Sequence, residues 1–232
     1  MDRYFLGVLL AFLCVVNSAW AVDGHQTRRE AMVRDQIVKR GIRDAATLQA
    51  MRAVPRHAFV PSSLSENAYD DRPLPIGYGQ TISQPYIVAY MTEIIRPQGT
   101  HKVLEIGAGS GYQAAVLAEV VREVYTIEIV AELGRAAAER LEKLGYRNVF
   151  LRLGDGYDGW PEAAPFDAIV VTAAAEFIPP PLIRQLKEGG RMVIPVGSPF
   201  LLQTLMLVEK VKGEIKTTSL LPVRFVPFRR AP

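Results

Sequence analysis

Cysteine is almost absent from this sequence. Cys14 is the only one in 232 residues, and it lies inside an apolar N-terminal run. Residues 1–21, MDRYFLGVLLAFLCVVNSAWA, open with Arg3, run apolar from Phe5 to Val16, and end in the small-x-small triplet Ala19-Trp20-Ala21. That pattern reads as a secretory signal. The run is short for a membrane span, so an uncleaved anchor is the alternative and no stable insertion is expected once the signal is removed. Cleavage after Ala21 would remove the lone thiol. The mature chain could then form no disulfide, no thiolate nucleophile and no cysteine-ligated metal site. Leu13 precedes Cys14 where a lipoprotein signal needs a small residue, which excludes lipidation there.

Other absences narrow the chemistry. The three histidines are scattered, and no His/Asp/Glu set has metal-ligand spacing. There is no G-x-S-x-G elbow. The net charge is only +3, with no dense lysine or arginine stripe, which disfavours a nucleic-acid partner. Internal repeats, low-complexity segments and heptads are missing, and a monomer is expected. Arg229 and Arg230 read as solubilising, the run Arg135, Arg140 and Lys143 as a solvated helix face, and His57 as a packed or hydrogen-bonded histidine.

What is present is a change of rhythm near residue 100. Residues 22–61 have helical periodicity: Met32, Val33, Ile37 and Val38 share a face, Gly41 ends the first helix, Asp44 caps a second and Pro55 stops it. Residues 62–83 read as one long loop, and YIVAYMTEII after Pro85 as a buried helix. From 101 onward strands and helices alternate: HKVLEIG, YQAAVLAEVVR, EVYTIEI, AELGRAAAERLEKLG, NVFLRLG, FDAIVVTAA, PPPLIRQLKEGG and RMVIPVG. The last two strands, LLQTLMLVEK and EIKTTSLLPVRF, meet at Lys212-Gly213, a hairpin signal. The expected fold class is α/β, Rossmann-like and doubly wound. It has a mainly parallel sheet with helices on both faces, an antiparallel C-terminal edge and a helical N-terminal extension. Residues 22–232 read as one domain, with the extension and a substrate loop over 22–96 and the core over 97–232.

The chemistry centres on VLEIGAGSGYQ, residues 103–113. A strand ends and Gly107, Gly109 and Gly111 follow at alternate positions, where glycines permit sharp turning and close approach to a ligand. A dinucleotide fingerprint is G-x-G-x-x-G and holds a pyrophosphate. Here the spacing is G-x-G-x-G, and Glu105 stands two residues before the first glycine. A carboxylate is unfavourable beside a pyrophosphate and favourable beside a sulfonium or an α-amino group. The pattern therefore resembles the first motif of Rossmann-like S-adenosylmethionine methyltransferases. Glu128, at the next strand end, is suited to ribose hydroxyls, and Asp155, in Gly154-Asp155-Gly156, to the adenine amino group. Taken singly, Glu128 is a solvated strand end and Asp155 a turn residue; in this order they mark one crevice. The fourth strand runs into TAAAE, not the N/D-P-P-Y/F motif of enzymes that methylate nucleic-acid amino groups.

Over residues 27–228 the chain resembles the protein-L-isoaspartate O-methyltransferase family. The resemblance is carried by VPRHAFVP (54–61), AYDDRPLPIGYGQTISQPYIVAYMTE (68–93), VLEIGAGSGYQAAVLA (103–118), GDG (154–156), PFDAIVVTAAA (165–175), GGRMVIPVG (189–197) and VRFVP (223–227). It implies methyl transfer from S-adenosylmethionine to the α-carboxylate of L-isoaspartyl residues in damaged proteins and peptides. It implies Ser83 as the active-site residue orienting that carboxylate. Thr81, Ile82, Glu105, Gly107, Gly109, Gly111, Glu128, Asp155 and Gly156 would hold the cofactor. Val223, Arg224, Phe225 and Val226 would hold the substrate, partly through backbone hydrogen bonds, and Asp71 to Ile76 would help cover the site. Ser83 could instead cap the following helix. However, Pro85 suits the first helical position, which makes Gln84 the cap and leaves Ser83 outside. Another carboxyl or small-molecule methyltransferase, and a non-catalytic isoaspartyl- or cofactor-binding protein, are the alternatives. The family is usually cytosolic, whereas the signal implies a periplasmic or secreted protein.

Overall fold

The computed structural model describes residues 24–198 and 201–231. The proposed signal over residues 1–21 lies outside them. Apolar strands and amphipathic helices alternate along the second half of the chain, and they form a seven-stranded sheet. Its strands are β3 (Lys102–Ile106), β4 (Glu123–Glu128), β5 (Val149–Leu153), β6 (Phe166–Val171), β7 (Leu186–Val196), β8 (Gln203–Val211) and β9 (Glu214–Val223), with β1 and β2 in a separate hairpin. The order is β5-β4-β3-β6-β7-β8-β9. Pairing is parallel from β5 to β7 and antiparallel from β7 to β9. The chain leaves β3 toward β4 on one side and pairs β3 with β6 on the other. The switch point therefore falls between β3 and β6, and a crevice opens at their carboxyl ends.

Successive side chains on a strand face opposite ways, so a central strand buried on both faces needs a continuous apolar run. In β6, Ala168 and Val170 enter one core, while Ile169 and Val171 enter the other. The first core is completed by α3 (Pro85–Ile94), α4 (Tyr112–Ala118) and the N-terminal extension, through Met32, Val33, Ile37 and Met51. The second is completed by α6 (Pro180–Gln185), through Leu182.

The extension begins with α1 (Gly24–Met32), which widens into a π-helical turn at Val33–Ile37 and then tightens at Val38–Arg40 into Gly41 at φ 98°. Asp44 then caps α2 (Ala45–Ala53), accepting from the Thr47 amide at 2.7 Å. The stretch expected to be loop over 62–83 is more ordered than its polarity suggests. It holds a short helical turn at Ser62–Asn67 and a hairpin of β1 (Leu74–Gly77) and β2 (Gln80–Ile82). Tyr78 and Gly79 both take positive φ, as a two-residue hairpin turn requires. Tyr-Gly is a weaker signal for that turn than Asn-Gly, which is why the strands were hidden.

Other boundaries differ from the sequence reading: the helix read over 112–122 ends at Ala118 and the strand read over 166–174 ends at Val171. The helix expected over PPPLIRQLKEGG stops at Gln185, and Leu186 already pairs with Phe166. Tertiary partners outweigh helix propensity there: Lys187 pairs with Asp167 at 2.7 Å, and the Glu188 carboxylate accepts from the Lys212 and Gly213 amides. The last strand ends at Val223, so Arg224 onward forms a tail outside the sheet. Removing the α2 cap with Asp44→Ala is expected to cost about 1 kcal/mol. Urea unfolding should show a lower midpoint with an unchanged slope.

Candidate functional site

The glycine loop leaves β3 through Gly107, Gly109 and Gly111, all at positive φ. Their individual reasons differ from the expectation of ligand approach alone. A Cβ on Gly107 would lie 2.6 Å from Thr172 Oγ1. That hydroxyl lies 2.7 Å from the Gly107 carbonyl and 3.0 Å from that of Ile106, so Gly107 makes room for a neighbouring strand end. Gly111 caps α4, and a Cβ there would meet Leu141 at 3.3 Å in α5 (Ala131–Lys143). Gly109 faces Ile76 of the hairpin and donates its amide to Glu128 Oε2 at 2.7 Å. Arg140 is not merely a solvated side chain: its Nη1 donates to the Ser110 carbonyl at 2.8 Å and steadies the loop.

Three carboxyl groups surround this loop. Glu105 is fully buried. Its Oε2 accepts from Thr126 Oγ1 at 2.5 Å, and its Oε1 has no partner. Burial pushes its pKa up to about 8; the Thr126 bond opposes the rise and the nearby Glu128 adds to it. A buried carboxyl with an orphaned oxygen is the environment that a cationic group would complete. Glu128, at the end of β4, accepts from the Gly109 and Val130 amides, one on each oxygen, leaving lone pairs for two hydroxyls. Asp155 is more occupied than the sequence implied. Its Oδ1 accepts from the Tyr157 amide, while Oδ2 accepts from Arg230 Nε at 2.8 Å and from the Ala231 amide at 3.0 Å. Burial would raise its pKa, but Arg230 and the two amides outweigh burial and hold it below the usual carboxylate range. Gly156 follows because a Cβ there would collide with the Ile106 side chain.

The hairpin brings the acceptor side over this loop. Leu74 and Ile82 are paired and buried, while Pro75 and Thr81 are paired and exposed on the opposite face. Helix α3 starts with Pro85 at its first position and Gln84 as the cap residue, as read from the sequence. Gln84 reaches back to Asp71, so Ser83 stands half-buried outside the cap.

On the far side lies the tail. Val223 ends β9, the Phe225 amide donates to Gln203 Oε1, and the Val226 carbonyl accepts from the Ala174 amide. These bonds engage the Phe225 amide and the Val226 carbonyl within the fold. Arg229 and Arg230, expected to be solubilising, both hold structure. Arg229 donates to the Tyr78 carbonyl at 3.0 Å, and Arg230 lies 3.7 Å over the Tyr157 ring while pairing with Asp155. His57 is packed as expected, stacked on His25 and bonded to the Tyr69 hydroxyl at 2.7 Å.

Three cavities meet at one point. The first, about 50 Å³, is lined by Gly107, Gly109, Glu128 and Gly156 beneath Val226 to Arg229. The second is lined by Ile82, Ser83, Glu105 and the glycine loop. The third, about 260 Å³, is lined by Ser83, Leu202 and Val223 to Val226. Thr81 and Thr172 border all three. Asp155 is held at the rim by the tail and borders none of them. The sequence reading missed Thr172 and Leu202. Thr172 carried a signal, because it is the first residue after a strand at the switch point. Leu202 carried none, being an apolar loop residue with 65% exposure.

The state of Glu105 has a measurable consequence. With its pKa pushed up to about 8 by burial, the Glu105 carboxyl favours the protonated form at neutral pH, and a bound cation favours the carboxylate. Binding of S-adenosylmethionine at neutral pH is therefore expected to release a proton, with affinity rising with pH and levelling above about 8. Calorimetry in buffers of different ionisation enthalpy reads the release directly. Glu105→Gln should abolish it and weaken binding; an unchanged release in the variant would contradict this assignment.

Comparison with known proteins identifies the family. A family model described as protein-L-isoaspartate(D-aspartate) O-methyltransferase matches residues 27–231. A protein-L-isoaspartate O-methyltransferase of Opitutus terrae is 60% identical over 224 residues, covering 96% of each chain. One of Nitrosospira multiformis is 58% identical over 226 residues, covering 96% of this chain and 95% of its own. A solved structure described as a protein-L-isoaspartate O-methyltransferase superposes with a TM-score of 0.77 at 32% identity, over 86% of this chain. This chain spans 65% of that protein's length. A Plasmodium falciparum structure assigned to the same activity, in complex with S-adenosyl-L-homocysteine, has a TM-score of 0.75 at 25% identity, covering 90% of this chain and 100% of its own. With a family model matching all but the ends of the sequence, and curated relatives at this identity, the chain belongs to the protein-L-isoaspartate(D-aspartate) O-methyltransferase family.

Proposed function

We infer that this protein is a repair enzyme that methylates the free α-carboxylate of L-isoaspartyl residues in damaged proteins and peptides. The observation that carries the reading is the junction at Thr81 and Thr172. There a cavity bordered by Ser83 and open to the tail meets the cavities bordered by Glu105 and Glu128. The group that fits the second pair is S-adenosylmethionine, because the orphaned Glu105 oxygen suits a cationic amino acid end and Glu128 suits ribose hydroxyls. When bound, it supplies a methyl on a cationic sulfur, whose transfer to a carboxylate gives a methyl ester and S-adenosylhomocysteine.

The acceptor needs no general base, since a carboxylate is already ionised near neutral pH. The protein's part is alignment and the exclusion of water. Ser83 donates a hydrogen bond from its hydroxyl to the acceptor carboxylate and aims it toward the junction. Thr81 and Ile82 line the cofactor. Val223 to Val226 hold an extended peptide, using the backbone groups not already bonded within the fold, and such contacts tolerate many sequences. The hairpin and the tail cover the site.

The protein is expected to act as a monomer and to be exported. The apolar run of residues 5–16 and the Ala19-Trp20-Ala21 triplet support export. Among the described residues, no helix is long and apolar enough to cross a membrane.

Labelled cofactor with an isoaspartyl peptide and its normal aspartyl twin tests the activity. Labelling of the isoaspartyl peptide alone is expected, and equal labelling of both would refute the reading. Ser83→Ala should lower turnover by about 10- to 100-fold, the range for one catalytic hydrogen bond of about 1.5–3 kcal/mol, while cofactor affinity holds. N-terminal sequencing of the protein from its native cell should find a start near Val22. A retained Met1 in the cytosolic fraction would overturn export.

A further inference from the structure

Arg56 is among the largest fully buried side chains of the described residues. It opens a short helical turn, Arg56–Phe59, directly after Pro55. Its Nε donates to the Ala68 carbonyl at 2.7 Å and its Nη2 to the Ser83 carbonyl at 2.7 Å. Its guanidinium carbon lies 4.8 Å from the centre of the Tyr112 ring. Nη1 is buried with no partner. Burial pushes the pKa down to about 10, which leaves the group charged at neutral pH, and only the tyrosines 112 and 69 oppose that shift. Among the described residues no carboxylate pairs with it, and a buried cation facing carbonyls and rings costs stability. The retained charge therefore calls for a use.

Its position supplies one. Ser83 and Tyr112, the two residues Arg56 touches on the site side, both line the cavity that contains Glu105. Ser83 also lines the acceptor cavity. The site thus has a buried acid without a counter-charge on its cofactor side and a buried cation without one behind its acceptor side. The geometry points to Arg56 as a positioning residue that fixes Ser83 through its carbonyl and sets a positive charge behind the acceptor cavity, so that the site selects an ionised carboxylate over neutral acyl groups. This rests on the isoaspartyl reading above. The same charge favours release of product, because the ester is neutral where the acceptor was anionic.

Arg224 is the competing source of positive charge, since it also lines the acceptor cavity, but it is exposed. Salt separates the two, because buried charges are screened far less than exposed ones. The experiment measures binding of an isoaspartyl peptide and of its α-carboxamide twin to enzyme saturated with S-adenosylhomocysteine. The wild type is expected to prefer the acid by about tenfold or more, from low salt to about 0.5 M. Arg56→Gln should bring the ratio near one while affinity for S-adenosylhomocysteine holds. Arg56→Lys should keep the ratio but lower kcat, because a single ammonium lacks the planar fork that spans both carbonyls. Arg224→Gln should leave the high-salt ratio in place. A preference that collapses in salt, vanishes with Arg224→Gln or survives Arg56→Gln would overturn the inference. If Arg56→Gln does not fold, the wild-type salt series and the Arg56→Lys kinetics decide it. Equal binding of both peptides to the wild type refutes this inference alone, whereas binding of neither refutes the isoaspartyl reading with it.

Discussion

Glu105 sits on the central strand β3, fully buried, with one oxygen bonded to Thr126 and the other to nothing. Much of the architecture follows from keeping it there. A carboxyl group reaches such a depth only when both faces of its strand are covered, and here two cores cover them. One core is built largely by the N-terminal extension, so the helices before residue 96 are as necessary to the site as the sheet. The same extension delivers the hairpin and Ser83 over the glycine loop. An acid kept from water loses its charge unless a cation arrives. The pocket is thus matched to a charged ligand before that ligand enters.

The cover over the site is held by weaker means. The tail is tied down by Arg230 on Asp155 and by Arg229 on the Tyr78 carbonyl. The Arg230 side chain is 51% exposed, and contacts of that kind contribute little net stability in water. The cavity beneath the tail is lined by Gly107, Gly109, Glu128 and Gly156. A rigid floor and a loosely tied roof suit an enzyme that must admit a cofactor, exclude water and release two products.

Repair of damaged protein requires indifference to sequence with strictness about one group. In the proposed reading, backbone contacts along Val223 to Val226 serve the indifference and the buried charge of Arg56 serves the strictness, while Glu105 serves the cofactor. In that reading, specificity for a group rather than a sequence is an electrostatic property of one buried residue.

Periodicity determined which segments are helices and strands, because an apolar run buried on both faces has few other readings. The hairpin turn at Lys212-Gly213, the cap role of Gln84 and the alignment of Glu105, Glu128 and the three glycines at adjacent strand ends were legible for the same local reasons. The hairpin at 74–82 was not, since its turn residues are atypical. The shortening of the helix before β7 was not, since distant partners of Lys187 and Glu188 decide it. Nor could spacing reveal that Gly107 answers to Thr172, that Asp155 answers to Arg230, or that Arg56 reaches Ser83 across 27 positions. Those contacts join residues remote in the chain. Local sequence sets what a segment can become, and packing alone chooses which of its polar groups will meet.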